Sequence, residues 1–421
     1  MINLNIYLVH YFQNRMKKRT VIIGGGLSGL ACATRLEKEN HEYIIIEKSS
    51  RLGGRVGSVY EGGYIFDVGF QVYNTAYSTT NSLLDLGELD LKMFKPGSLI
   101  HDGKKFQMIS DPLRDLSQLF VSLFSSVALI SDKIRIMLLK NDLSNYSIDN
   151  DPTVDVSTFD YLRSRGFSDK FIELFFRPFF SGIFLENKLE TSSKFFKYVF
   201  SNFSKGLAAL PLNGMQKIPD LIKKNINKTS VTLNRCVESI KSNRRVVLDN
   251  GDEIIAENIV ITANSHELIG SKSVQYSPVV NLYFSSKTFP KNGKYIYLFP
   301  KDDLINNIAV LNAVSPRYSS SSRYLLSISI LGFNCDELLI KKIREKLANY
   351  FGGGKSSYNF LKSFIIKKAT IKQDKNFFSN NLVTMQDGLI FTGQHKVNGS
   401  IEGAVISGLK AANYIVKSSK S

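Results

Sequence analysis

Three glycines in a fixed rhythm, Gly24-x-Gly26-x-x-Gly29, followed 18 residues later by the carboxylate of Glu47, are suited to hold a diphosphate and a ribose. Gly24 permits a tight turn. Gly26 lets a pyrophosphate approach the backbone. Gly29 lets a helix pack closely on a strand. The apolar run Val21-Ile22-Ile23 ahead of the turn predicts a buried strand, and the segment behind it predicts a helix. A second apolar run, Tyr43 to Ile46, ends on Glu47, so strand, turn, helix, strand and acid form a complete βαβ dinucleotide unit. The N–H groups at the helix start and its partial positive charge favour phosphate. An ordinary glycine turn would need neither the second strand nor the terminal acid. Behind Glu47, Arg51, Gly53, Gly54 and Arg55 bring guanidinium groups to a second glycine pair, where a second contact with phosphate oxygens is expected.

From this RxGGR segment onward the chain resembles the flavin amine oxidase superfamily, which includes monoamine oxidases, protoporphyrinogen oxidases and carotenoid desaturases. The likeness continues in Asp67-Val68-Gly69-Phe70-Gln71, in Leu210 to Met215 and around Val237. It returns in Gly388 to Gly393 and in Gly399 to Gly408, so it spans nearly the whole chain from Met16. The resemblance implies FAD as cofactor. The expected cofactor contacts are Gly24, Gly26, Leu27, Ser28, Gly29, Glu47 and Lys48, then Gly54 and Arg55, then Gly69 and Phe70. Val237, Gly393, Ile401, Gly403, Ala404 and Val405 complete the set. N–H groups of Gly403, Ala404 and Val405, at a predicted helix start, are expected to face one edge of the flavin. The other reading of that stretch is a small-residue helix packed closely on a sheet.

A flavin accepts hydride itself, so the chain need only place a substrate bond, exclude water and tune the ring. Candidate catalytic residues are Gln71, Tyr73 and Arg177. Gln71 is either a polar contact in the pocket or a plain strand-end residue, and Asp67 reads as structural. Ten phenylalanines between Phe171 and Phe203 form either core or an apolar pocket wall. Arg177 then either anchors a substrate carboxylate or pairs with Glu173 or Glu186. Pro178 is expected to end the preceding helix. Glu402 is either surface-facing or bonded to a loop. The stretch Lys396 to Ile401 has no aromatic and the chain has no Trp, so the aromatic enclosure amine oxidases build around a cation has no counterpart there. A Tyr-Pro-Gly sequence like that of carotenoid desaturases is also missing. The expected activity is oxidation or desaturation of a largely apolar small molecule by hydride transfer to flavin N5. Amine oxidation releasing peroxide is the first alternative. A nicotinamide-binding dehydrogenase and a non-catalytic flavin-binding protein are the others.

The elements that must position these residues follow from the pattern. The 421 residues suggest two domains. The expected fold class is α/β: a Rossmann-like FAD-binding domain, three-layered with a mixed sheet, and a second α+β substrate domain. Residues 19–90, 205–267 and 387–421 would form the first, with Asn250-Gly251 as a hairpin turn. Residues 91–204, mainly helical in pattern, and 268–386, alternating strands with a helix near Asp336 to Tyr350, would form the second. Residues 1–18 are expected as a tail, either disordered or an over-extension of the reading frame upstream of Met16. Their charges follow the apolar stretch, the reverse of a secretory signal.

Composition narrows the class further. Hydrophobic residues make up 43% and charged residues 22% of the chain, as in globular proteins. The net charge of +17 is dispersed and comes without a nucleic-acid motif, so no nucleic-acid partner is expected. Leu116, Phe120, Leu123, Phe124, Val127 and Ile130 share a helical face, which suits core burial or a peripheral membrane contact. Three scattered cysteines, Cys32, Cys236 and Cys335, form no disulfide framework. Cys32 and Cys236 read as small buried residues, and a reducing, cytoplasmic setting is expected. Five dispersed histidines offer no metal spacing.

Overall fold

The computed structural model describes residues 19–110, 129–262, 268, 274–288, 290–380, 383–386 and 388–420. The expected tail 1–18, His266 and most of the apolar face from Leu116 to Ile130 lie outside them.

The first sheet is built around the strand Arg19–Ile23, which is buried on both faces as a central parallel strand must be. It pairs in parallel with Tyr43–Ile46 on one side and Glu253–Ile261 on the other. The crossover is the helix Leu27–Lys38. Outward from Tyr43–Ile46 comes Val231–Thr232. Beyond Glu253–Ile261 comes Leu389–Phe391, also parallel. One sheet thus draws strands from three separated stretches of chain. Glu253–Ile261 also folds back through the Asn250-Gly251 turn onto Arg245–Leu248, an antiparallel extension that reaches Val237–Lys241. Ile22, Ile45, Val260 and Ile390 bury one face against Leu27–Lys38 and the C-terminal helix Ile401–Lys420. Val21, Ile23, Ile259 and Ile261 bury the other against the antiparallel extension. The result is a three-layer arrangement with a mixed sheet.

The second sheet has seven strands in the order Tyr358–Ile371, Tyr276–Ser286, Tyr324–Leu331, Asn307–Val310, Ile296–Leu298, Gly97–His101 and Phe106–Ser110. The last two come from the start of residues 91–204, whose other described elements, from Ile130 on, are helices as expected. The edge strand Tyr358–Ile371 also escapes the sequence pattern. Lys362, Lys367 and Lys368 interrupt its alternation, a feature that protects an edge from pairing with another chain. One face of this sheet packs on the helix Glu337–Phe351, capped by Asp336. The other faces the phenylalanine-rich helices Arg177–Phe184 and Ser193–Lys205.

Pro178 does not end its helix, contrary to expectation. It sits at the start of Arg177–Phe184, directly after one wide π turn, Ile172–Phe176. A proline lacks the N–H of the regular ladder, and the π turn absorbs that loss without breaking the run. Among the described residues no helix is long and apolar enough to cross a membrane.

Candidate active site

A cavity of about 800 Å³ runs between the first sheet's glycine turn and the phenylalanine-rich helices. At its dinucleotide end, Gly24 has φ +101° and its N–H donates to the Ile46 carbonyl at 2.8 Å. A Cβ on Gly29 would lie 2.1 Å from the Gly24 oxygen, so helix and strand meet too closely for a side chain. Gly26 differs from both. Its φ is ordinary, and a Cβ there would meet no atom within 4 Å. The protein does not require a glycine at that point; the open cavity does. Gly26 also caps Leu27–Lys38 without any side-chain bond, leaving the first-turn N–H groups to the cavity wall formed by Gly26, Leu27 and Ser28.

Glu47 braces this turn. Its Oε2 accepts from the Gly25 N–H at 2.7 Å, and its Oε1 accepts from the Ser49 N–H at 2.8 Å and hydroxyl at 2.7 Å. Lys48 lines the same end. Arg51 holds the second glycine loop together, donating to the Val56 and Gly54 carbonyls and to Gln216. The two glycine loops touch: a Cβ on Gly54 would lie 3.2 Å from the Gly26 Cα.

Arg55 lies in the wall with its guanidinium buried, which lowers its pKa against the opposing influence of Tyr276. Its contacts are neutral. It reaches the Ala369 carbonyl at 3.4 Å and lies over the Tyr276 ring, and the Gln394 side-chain oxygen, turned toward it, accepts from Nη2 at 3.1 Å. No carboxylate among the described residues pairs with it. A buried cation without an acid calls for an anionic ligand. Together with the open face of Gly26 and the uncapped helix start, it fits a diphosphate.

Further along the wall are Gly69, Phe70, Gln71, Val237, Gly393, Ile401 and Ala404. Gln71 donates to the Arg55 and Val68 carbonyls, while its Oε1 is buried with no partner among the described residues.

The structure corrects several expectations and, for Arg177 and Glu402, decides between the alternatives. Tyr73 is fully buried away from the cavity, its hydroxyl donating to Asn81 because its short strand pairs with Ala208–Pro211. Arg177 makes a two-pronged ion pair with Glu173, one helical turn back, and does not line the cavity. The Gly403 N–H is taken by the Ser400 hydroxyl and the Ala404 N–H by the Ser400 carbonyl, while Gly403 and Val405 pack behind the wall. Glu402 points away and accepts from the N–H groups of Thr79 and Thr80 at 2.8 Å each, capping a short helix. Cys236 is exposed, on a loop just before its predicted strand.

Asp67 sits behind the wall and accepts from Ser58, Tyr318 and the Met215 N–H, yet burial pushes its carboxyl up to about 6. Asn202, Asn306, Asn307 and Ser329, not expected from the sequence, also stand on the cavity wall. The available signal was the Asn306-Asn307 pair at the head of an apolar strand, where asparagine is disfavoured.

The sequence profile of the family described as flavin containing amine oxidoreductase matches residues 27–416. The chain belongs to this family, an oxidoreductase family, and its cofactor is FAD. Among curated relatives, 1-hydroxycarotenoid 3,4-desaturase of Flavobacterium sp. (strain P99-3) is 31% identical over 100 residues, which cover 22% of this chain and 20% of that protein. Protoporphyrinogen oxidase 2, chloroplastic/mitochondrial, of Arabidopsis thaliana is 25% identical over 178 residues, covering 41% and 34% respectively. The matched stretches thus span 20% and 34% of these relatives' own length. Among solved structures, a triple mutant of putrescine oxidase superposes with TM-score 0.73 at 16% identity, over 95% of this chain and 99% of the other. At that identity the likeness is one of fold.

Proposed function

We propose that this protein oxidises or desaturates a largely apolar organic substrate. The observation that carries the reading is the distribution of charge in the cavity. Its charged lining residues, Glu47, Lys48, Arg51, Arg55 and Arg235, all belong to the glycine loops, the end of the second strand and the loop before Val237. The rest of the described wall is neutral, with Phe179, Ile183, Phe195, Phe203, Ile296 and Ile366 among its apolar residues. An ammonium bound there would meet no carboxylate among the described residues and would lose its hydration without compensation. A hydrocarbon body gains about 25 cal/mol per Å² buried.

When bound, FAD supplies the acceptor for a hydride leaving a substrate C–H bond. The chain's residues then have three tasks. The glycine turn, the helix start and Arg55 fix the diphosphate. The phenylalanine wall excludes water and orients the substrate. Gln71, its amide nitrogen tied to the Arg55 and Val68 carbonyls, places a neutral polar side chain in the wall between them. The proposal includes the two-domain division, with 19–90, 205–267 and 387–421 holding FAD and 91–204 with 268–386 enclosing substrate.

Incubating the purified protein with fractionated lipid extracts and with an amine panel tests this. A lipophilic product lighter by a pair of hydrogens, seen by mass spectrometry, is expected. Peroxide release with simple amines and no lipophilic product would replace the reading with amine oxidation.

A further inference from the structure

The helix Ile130–Asp142 is apolar on two sides. Inward, Leu139 and, just past the helix end, Leu143 join the cluster of Phe180 and Phe196, which come from the helices that wall the cavity. Outward stand Ile130, Ile134, Met137 and Leu138, with Leu129 at the cap. Each of these five is more than half exposed, from 52% for Leu129 to 76% for Ile130. Single exposed apolar residues are ordinary, but a contiguous stripe of them marks a contact surface. The four helical ones fall within an arc of about 100°. By contrast, the helix Glu337–Phe351 exposes Glu337, Lys341 and Lys342 around Leu338.

Cations border the apolar arc on both sides. Lys133 and Lys140 flank one edge. At the other stands Arg135, which with Leu138, Ser164 and Arg165 lines a hollow of about 190 Å³. Arg165 pairs with Asp142, and Arg135 lies 3.8 Å from Asp132. Asp132 is buried and turned inward, accepting from Ser168 and from the Leu129 N–H. Lys133, Arg135, Lys140 and Arg165 thus outnumber the carboxylates of Asp132 and Asp142 around the arc.

We propose that the outer face of Ile130–Asp142 docks this protein on an anionic lipid surface. An apolar centre with a cationic border suits the boundary between acyl chains and headgroups. Ile130, Ile134, Met137 and Leu138 would enter the acyl region. The long stems of Lys133, Lys140 and Arg135 can lie along it and hold their charges at the phosphates. A second copy packed on the same face would instead bring like charges together. The proposal stands whether or not the substrate is apolar. Because the inner side of the same helix packs on the aromatic helices, docking would set the apolar half of the cavity beside the bilayer.

Two variants of the FAD-loaded full chain test this. Met137→Trp places a fluorescent reporter in the middle of the face, in a chain that has no other Trp. Its emission should be that of a water-exposed indole in buffer. It should shift to the blue on adding vesicles of phosphatidylcholine with phosphatidylglycerol. A smaller shift is expected with phosphatidylcholine alone, and in high salt, which screens the cationic border. The double variant Ile134→Asp, Met137→Asp should co-sediment with the mixed vesicles roughly tenfold more weakly or worse, since two apolar side chains are lost from the contact. Its melting temperature and gel-filtration volume should stay those of the wild type. Blue emission already without vesicles, a lowered melting temperature or a changed gel-filtration volume would show the face covered by the chain itself or by a second copy, and overturn the proposal. Emission that ignores the mixed vesicles, or a double variant that binds them like the wild type, would overturn it equally.

Discussion

Gly26 and Arg55 make the FAD seat testable residue by residue, because each is placed for something other than the fold. A side chain at Gly26 would touch no protein atom within 4 Å. Gly26→Val should therefore give soluble, folded protein with a normal circular dichroism spectrum and no flavin. Full flavin content in that variant would mean the diphosphate lies elsewhere. Arg55 is a buried cation among neutral groups. Arg55→Met should raise or preserve the melting temperature of the flavin-free protein. It should weaken FAD binding by about 1.5–3 kcal/mol, roughly ten- to a hundredfold, as loss of a hydrogen bond to a charged group does. Thermal unfolding of the apo-protein measures the first and a flavin titration the second. Asp67 gives a pH signature. Its carboxyl ionises near 6 in the folded chain, against about 4 in an unfolded one. Between those values the folded state holds the extra proton, so this residue's contribution to stability falls as pH rises. Asp67→Asn should flatten that fall, seen as a smaller melting-temperature difference between about pH 4.5 and pH 6.5 than in the wild type. An unchanged difference would contradict the raised ionisation.

At the scale of elements, the dinucleotide unit depends on how closely Ile401–Lys420 approaches Leu27–Lys38. A Cβ on Gly408 would lie 2.0 Å from the Ser28 carbonyl oxygen, a backbone atom that cannot swing aside. Gly408→Ala should force the two helices apart and cost about 1–3 kcal/mol, the usual range for overpacking. Thermal unfolding of the variant measures it, and no loss would show that the helices have slack. Residues of this kind explain what was legible in the sequence. Gly24, Gly29 and Glu47 act within about 25 residues of one another, so their spacing states their geometry. The fates of Tyr73 and Ser400 were hidden, because each depends on which nearby group reaches it first, Asn81 or the Gly403 N–H, whereas Arg177 takes one of the two partners its spacing offered, Glu173. Gly97–His101 and Phe106–Ser110 were missed because each is only five residues long and embedded in a stretch of helical pattern. Asn307 stayed invisible because the cavity wall it joins is assembled from strands far apart in sequence.

Across the whole molecule, the two sheets enclose one cavity with opposite characters at its ends. Backbone N–H groups and guanidinium groups gather where the first sheet meets its crossover helix. Phenylalanine, isoleucine and carboxamide groups gather where the second sheet faces the aromatic helices. A dinucleotide seated at the first end and an apolar molecule at the second would share a dry interior, which hydride transfer requires. The direct measurement is an anaerobic titration of the FAD-loaded protein with lipid fractions and, separately, with simple amines, following the visible flavin absorbance. Bleaching by an apolar fraction, stoichiometric with the oxidised product, is expected, and none by amines. Bleaching by amines alone, or a flavin that only dithionite reduces, would contradict it.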